Sequence, residues 1–386
     1  MRVLHVYKSY YPDTLGGIEQ VIAQLGRGLA ALGHESRIYT LSPQPDPVVI
    51  RRPEGEVHRS RVTAEISSNT VSWRALLEYR EQLKWADVVH YQFPWPFGDL
   101  LHLLWARHKP SVVSYQSDIV RQKWLLRAYT PLMNRFLDSV GLVVATSPQY
   151  LDSSPVLGRL RSKVVVIPNG VDESTYPQPG QEALARWRER VGEGFFLFVG
   201  VLRYYKGLQT LLEAARGFAG KVVIAGSGPE APALEAQLRA GATPNVQLLG
   251  HVSDEDKMCL LSLCRAFVFP SHLRSEAFGM SLVEAAMASR PMISCDIGTG
   301  TTFINQDGVT GWVVGPEEPE ALRAAMQRLL ENADQAATMG RAARARFESH
   351  FTAVHMAVAY EQVYRQVATA RAGTFLESGQ KQERNP

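Results

Sequence analysis

The sequence predicts an α/β protein made of two doubly wound parallel sheets, one following the other along the chain. Three observations carry that prediction. Short, nearly unbroken apolar runs alternate with segments of helical periodicity, as in parallel strands covered on both faces by crossover helices. The alternation halts in "PNGVDESTYPQPG", rich in Pro, Gly and Asp, and then begins afresh. The chain has 386 residues, enough for two cores of ordinary size.

In the first half "VLHVY" is a strand candidate. Ile18, Val21, Ile22, Leu25 and Leu29 then mark one face of a helix that Gly33 ends. "SRIYTL", "ADVVHYQ", "PSVVSYQ", "GLVVATS" and "KVVVIPNG" supply five further strands. In the second half "GFFLFVG" leads to a helix from Leu208, and "KVVIAGSG", "NVQLLG", "AFVFPS", "PMISC" and "GWVV" follow as strands. Residues 1–170 are therefore read as the first domain and 171–356 as the second. A helical region at 357–370 is expected to pack back on the first domain, and 373–386 is a polar tail expected to lack order. Two such sheets facing one another leave a cleft at the carboxyl ends of their strands, where ligands of doubly wound sheets bind.

Composition narrows the function classes. Hydrophobic residues make up 45% and charged residues 20%, which describes a globular chain rather than a fibrous or disordered one. A net charge of +3 is too mild to argue for nucleic acid. Cys259, Cys264 and Cys295 are an odd set without metal-ligand spacing, expected to be reduced thiols in a cytosolic protein. No apolar run reaches the ~18 residues of a membrane-spanning helix. "MRVLHVYKSYYPD" lacks the features of a signal peptide. The expected location is the cytoplasm, with peripheral contact at the inner face of the cytoplasmic membrane left open.

The chemistry concentrates in "PSHLRSEAFGMSLVEAAMASRPMIS". A strand ends before Ser271, a loop runs to Phe278, and Gly279 opens a helix whose buried side carries Met280, Val283, Ala286 and Met287. A helix N-terminus offers free N–H groups and partial positive charge, suited to a phosphate, and Gly279 lets a ligand approach the backbone. Glu284, one turn in, could accept hydrogen bonds from ribose hydroxyls, and Glu276 on the loop from a second sugar; the bland alternative is dipole complementation. In "GVLRYYKG", Arg203 and Lys206 sit past a strand end, where fixed cations could stabilise a departing diphosphate. "LGGIEQ" sets Gly16 and Gly17 at another helix N-terminus, with Glu19 read as dipole decoration. "IAGSGPE" gives Gly226 and Gly228 but Ala231 in the third glycine's place, a weak dinucleotide match better read as a tight turn bordering a nucleotide pocket. "SDED" reads as a helix cap by Ser253 rather than a metal motif. His90, Gln92, Trp95 and Phe97 follow a strand, where aromatics either stack on sugars or pack under a loop.

Glu276 and Glu284 flanking Phe278-Gly279, with "VEAAMASRP", resemble the signature of family 4 of the retaining nucleotide-sugar glycosyltransferases. "LGGIEQ", "PNGVD", "FVGVLRYYKGL", "IAGSGP" and "LLGHVSDED" fall in the family's order, so the resemblance spans almost the whole chain. It implies the GT-B fold, two Rossmann-like domains with an interdomain cleft. Glu276 would hold the donor hexose, Glu284 the ribose, and Arg203 and Lys206 the leaving phosphates. Gly16, Gly17, Gly226, Phe278, Gly279 and Met280 would complete the nucleotide-sugar clamp. No metal and no cofactor beyond the donor are implied.

Two departures stand out. The family arginine falls where Val201 stands, so Arg203 would have to reach the phosphate from two residues on. Gln116 replaces the usual histidine and cannot shuttle a proton at neutral pH. Asp118 remains as an acceptor-side carboxylate or a helix cap. "FVGVLRYYKGL", "SDIVRQ" and "GTGTTFIN" further resemble bacterial mannosyl- and rhamnosyltransferases of O-antigen polysaccharide assembly. That implies a GDP-mannose or GDP-D-rhamnose donor and a glycan acceptor linked to polyprenyl diphosphate. Between Ile119 and Leu137, Arg121, Lys123, Arg127 and Arg135 are interleaved with apolar residues, a pattern that lies on an anionic membrane or buries its apolar face in the protein. A non-catalytic sugar-nucleotide-binding subunit and a transferase using UDP or ADP donors stay open as alternatives.

Overall fold

The computed structural model describes residues 1–66, 69–119, 123–241 and 243–382, with backbone alone at 66, 123–125 and 371–382. The chain divides into two compact units: Met1–Thr146 with Ser154–Gly170 and the segment from Ala353 onward, and Ser147–Ser153 with Val171–Thr352.

The first unit is built on β1 (Arg2–Val6), β2 (Glu35–Ser42), β3 (Val49–Arg52), β4 (Gly55–Arg61), β7 (Val88–Phe93), β8 (Ser111–Tyr115), β9 (Leu142–Ala145) and β10 (Val164–Val166). Between them a small antiparallel hairpin pairs β5 (Ala64–Ile66) with β6 (Asn69–Val71). The eight-stranded sheet runs β10-β9-β8-β7-β1-β2-β4-β3, parallel except for β3 on β4. Strand β7 is buried at every position, as expected of a strand with helices on both faces. The six strands read from the sequence are present; β3, β4 and the hairpin were not foreseen. Their sequence has no long apolar run: β3 is an edge strand in which Val49 and Ile50 are followed by two arginines, and β4 buries Arg59 and Ser60. There Arg59 donates to the Asp13 carboxylate at 3.1 Å, Ser42 Oγ at 2.8 Å and the carbonyl of Gln44 at 2.6 Å.

The helix Ala353–Gln382 belongs to this unit. It buries Met356, Ala357, Tyr360, Val363, Tyr364 and Val367. Tyr364 Oη bonds His90 Nδ1 at 2.8 Å, Tyr360 Oη bonds Ser114 Oγ at 2.5 Å, and Glu361 meets His34 Nε2 at 2.9 Å. A Cβ on Gly28 would lie 2.6 Å from that of Ala357, so the helix Gly17–Ala31 approaches closely. The tail over 373–386 was expected to lack order; as far as Gln382 it instead continues this helix, and 383–386 lie outside the described residues.

The second unit holds β11 (Phe196–Val199), β12 (Val222–Ala225), β13 (Val246–Gly250), β14 (Ala266–Phe269), β15 (Met292–Cys295) and β16 (Gly311–Val314). All are parallel, in the order β13-β12-β11-β14-β15-β16, and all six were legible as apolar runs. Its core runs from Phe195 and Phe196 through Val222 and Ile224 to Leu282, Val283 and Ile293. Each sheet winds outward in both directions from one point, β1/β7 in the first unit and β11/β14 in the second. In such sheets the loops leaving the two central strands diverge and open a crevice at their carboxyl ends.

The three cysteines are buried and free. Among the described residues no helix is long and apolar enough to cross a membrane. The helix Lys123–Ser139 covers most of the basic segment, and it buries Met133, Phe136 and Leu137 while exposing Arg127 and Arg135. Residues 120–122, with Arg121 among them, lie outside the described residues.

Candidate active site

The second unit's switch point sets two loops side by side. One follows β11 and carries Arg203 and Lys206; the other follows β14 and carries Ser271, Glu276, Phe278 and Gly279. Gly207 fixes their contact. It adopts φ +67°, and a Cβ there would stand 1.9 Å from the carbonyl oxygen of Pro270, so no larger residue fits without moving the second loop. The amide of His272 donates to the carbonyl of Tyr205 at 3.0 Å across the same seam.

At this seam Lys206 Nζ meets Glu276 Oε2 at 2.5 Å, with the two side chains only 10% and 12% exposed. Phe269, the last residue of β14, lies beneath the ammonium at 4.6 Å. Ser271 Oγ reaches the same carboxylate oxygen at 3.4 Å, and Thr299 Oγ1 donates to the Glu276 carbonyl at 2.8 Å. Arg203 is exposed. Burial, and next the Glu276 charge, hold the Tyr205 hydroxyl above its ordinary range, while Arg203 pulls it down. Cation, carboxylate and guanidinium thus share one neighbourhood.

Gly279, at φ +101°, turns the second loop into the helix Met280–Met287. A Cβ on it would lie 3.1 Å from the Phe269 ring that supports Lys206. Leu282 N–H donates to the Gly279 carbonyl at 2.9 Å at the start of this helix, whose N-terminal end is electropositive. One turn in, Glu284 is buried. Its Oε1 accepts from Tyr176 Oη at 3.0 Å and from Lys257 Nζ at 2.9 Å. Lys257 also bonds Asp254 at 3.0 Å. Burial works against its charge, yet Glu284 and Asp254 hold the ammonium above its ordinary range. Lys257 stands on the helix Asp254–Leu263, which Ser253 caps by accepting from the Asp256 amide at 3.1 Å. The "SDED" carboxylate of Asp256 is itself bound to Trp187 Nε1 at 2.6 Å.

Gly226 serves the first loop from behind. At φ +140° its missing Cβ leaves room for the carbonyl of Gly200, which would otherwise lie 1.9 Å away. Val201, at the family arginine's place, is exposed.

In the first unit Gly16 caps the helix Gly17–Ala31 after the β1 loop. Glu19, expected to complement the helix dipole, stands in the first turn of that helix. It is buried and accepts from Thr14 Oγ1 at 2.7 Å and Ser9 Oγ at 3.0 Å, shaping that loop from below. Gln116, past β8, is buried and donates to Gln92 Oε1 at 2.9 Å. Gln92 continues to His90 at 3.3 Å and His90 to Ser114 at 2.7 Å, a polar track inside the sheet. Asp118 accepts from Tyr115 Oη at 2.9 Å and Ser154 Oγ at 2.8 Å. Trp95 and Phe97 are buried, with Trp95 Nε1 donating to the carbonyl of Thr70 in β6, so they pack within the first unit.

The structure therefore gathers Arg203, Lys206, Glu276, Phe278, Gly279, Met280 and Glu284 on one unit, and Gly16, Gly17, Gln116 and Asp118 on the other. Sequence reasoning missed Ser271, Thr299, Tyr176 and Lys257. Only the spacing of Lys257 three residues after Asp254 could have hinted at a held cation.

Comparison with known proteins agrees with this geometry. A model described as "Glycosyltransferase Family 4" matches residues 15–175, and one described as "Glycosyl transferases group 1" matches 181–346. The chain is 52% identical to the D-rhamnosyltransferase WbpZ of Pseudomonas aeruginosa, covering 92% of this chain and 93% of that one. It is 48% identical to the O-antigen chain mannosyltransferase C of Escherichia coli, covering 94% and 98%. The chain belongs to glycosyltransferase family 4. A sucrose-phosphate synthase from Thermosynechococcus elongatus superposes with a TM-score of 0.77 at 22% identity, over 96% of this chain and 99% of that one. That likeness shows the fold: GT-B, with its two Rossmann-like domains.

Proposed function

We propose that this chain is a retaining hexosyltransferase that moves mannose or D-rhamnose from a GDP-sugar to a growing, polyprenyl-diphosphate-linked surface polysaccharide. The observation that carries the reading is the pairing, across the β11/β14 switch point, of a cationic loop with a carboxylate loop that opens a helix N-terminus. The identities to a D-rhamnosyltransferase and a mannosyltransferase support the sugar class.

Each group has a part that its chemistry suits. Lys206 and Arg203 neutralise charge that builds on the diphosphate as its bond to the anomeric carbon breaks, aided by the N–H groups of Phe278, Gly279 and Met280. Glu276 accepts hydrogen bonds from hexose hydroxyls, exchanging its tie to Lys206 for ties to the donor. Glu284 takes the ribose. The acceptor hydroxyl attacks from the face the diphosphate leaves, and a diphosphate oxygen takes its proton, so neither a second carboxylate nucleophile nor a histidine base is required. Gln116, already committed to Gln92, fits a site that positions rather than transfers protons. Asp118 lies on the acceptor side, and the basic helix Lys123–Ser139 is the element to meet an anionic membrane carrying the lipid-linked acceptor.

The test is to supply GDP-mannose and GDP-D-rhamnose with a polyprenyl-linked acceptor, follow GDP release, and read the anomeric configuration of the product by NMR. An α-configured donor giving an α-linked product is expected. A β-linked product would contradict retention, and GDP binding without transfer to any acceptor would favour a non-catalytic subunit.

A further inference from the structure

We propose that Lys257 and Tyr176 are positioning residues for ribose recognition, fixing the Glu284 carboxylate so that it discriminates the ribose hydroxyls of a nucleoside diphosphate. The inference rests on Glu284 as the ribose-binding group and names the residues that make it competent.

A carboxylate as buried as Glu284 loses hydration, a cost that donors and a cation facing it offset. Lys257 supplies the cation at 2.9 Å and Tyr176 a neutral donor at 3.0 Å, both to Oε1. Two donors converging on one oxygen orient the carboxylate. Lys257 is itself held. Its second bond, to Asp254 at 3.0 Å, and its place 5.1 Å from the Tyr176 ring keep the ammonium from swinging away. The three residues come from separate parts of the second unit: the segment after Val171, the helix Asp254–Leu263 and the helix Met280–Met287. A ribose-binding carboxylate needs charge and a fixed direction, and this arrangement supplies both.

The competing view makes Lys257 a staple between two helices. A staple would alter stability and weaken all nucleotides alike, whereas a positioning residue alters the ratio between nucleotides that differ in one hydroxyl. GDP, 2′-deoxy-GDP and 3′-deoxy-GDP would be titrated calorimetrically into wild type, Glu284→Ala, Lys257→Met, Lys257→Arg and Tyr176→Phe, with Tm recorded for each. Wild type should prefer GDP over at least one deoxy analogue by roughly tenfold or more, the worth of a charge-assisted hydrogen bond. Glu284→Ala and Lys257→Met should bring that ratio close to one, Tyr176→Phe should reduce it, and Lys257→Arg should restore part of it. A wild-type ratio preserved in Lys257→Met while Tm falls would overturn the positioning role and leave the ribose assignment standing. Should Lys257→Met fail to fold, Tyr176→Phe decides, since it removes one oxygen; an unchanged ratio there overturns the proposal. Wild type without preference, or a preference that survives Glu284→Ala, would overturn the ribose assignment and the proposal with it.

Discussion

Lys206 and Glu276 form the ion pair on which the proposed chemistry turns. A nearly buried ion pair contributes little net stability, because desolvating two charges offsets their attraction, so its presence at a ligand site reads as readiness for charged substrate. Lys206→Ala should lower kcat by about a hundredfold to a thousandfold, the usual worth of one group stabilising developing charge. The variant should keep a cooperative unfolding transition; unchanged sugar transfer would remove Lys206 from the mechanism. A second residue makes a pH prediction. His5 is fully buried, neither ring nitrogen has a hydrogen-bond partner among the described residues, and burial lowers its pKa to about 3. Unfolded, it titrates near 6.5. Between those values the unfolded chain binds the proton and the folded chain does not, so stability is full above about pH 6.5 and falls as pH drops toward 3. His5→Leu should flatten urea-derived stability between pH 6 and 4 by ~1.4 kcal/mol per pH unit, one proton's worth. An unaltered slope would mean that His5 takes no part in acid unfolding. The glutamates and Lys206 were legible because they stand in short segments of fixed spacing. Tyr176 and Lys257 were not, since their value comes from meeting Glu284 across 108 and 27 positions of chain.

Secondary structure was readable where burial is two-sided and unreadable where it is polar. Every strand of the second unit announced itself as an apolar run, while β4 buries an arginine that its sequence gives no reason to place inside. Glycine readings divide in the same way. Gly226 is expected from the sequence to sit in a turn bordering a nucleotide pocket, and a Cβ there would stand 1.9 Å from the Gly200 carbonyl oxygen. Gly226→Ala should displace the loops after β11 and β12 together, costing about 2 kcal/mol and weakening nucleotide binding. Unchanged stability and binding would show that the two loops do not depend on that approach. The cap at Ser253 was readable from "SDED", and Ser253→Ala should cost about 1 kcal/mol in chemical denaturation.

Taken whole, the molecule interleaves its two units: the chain completes the second and returns to the first through the helix from Ala353. The sequence marked the Asn169–Gly180 linker by its Pro, Gly and Asp. It could not reveal that Ser147–Ser153 joins the second unit, because that assignment depends on contacts distant in the chain. A chain ended at Thr352 loses Met356, Tyr360, Val363, Tyr364 and Val367 from the first unit's core. At ~1.5–3 kcal/mol each, that rivals the whole stability of a domain, about 5–15 kcal/mol. Such a chain should lose the first unit's unfolding transition in calorimetry, and retention of both transitions would refute the estimate. The central claim is that the second unit's switch point grips a guanosine diphosphate sugar. The most direct measurement titrates GDP, UDP and ADP into wild type and Glu284→Ala. Tight binding of GDP, weakened by about 1–3 kcal/mol in the variant, is expected; equal binding of all three nucleotides, or none, would contradict a guanosine diphosphate site.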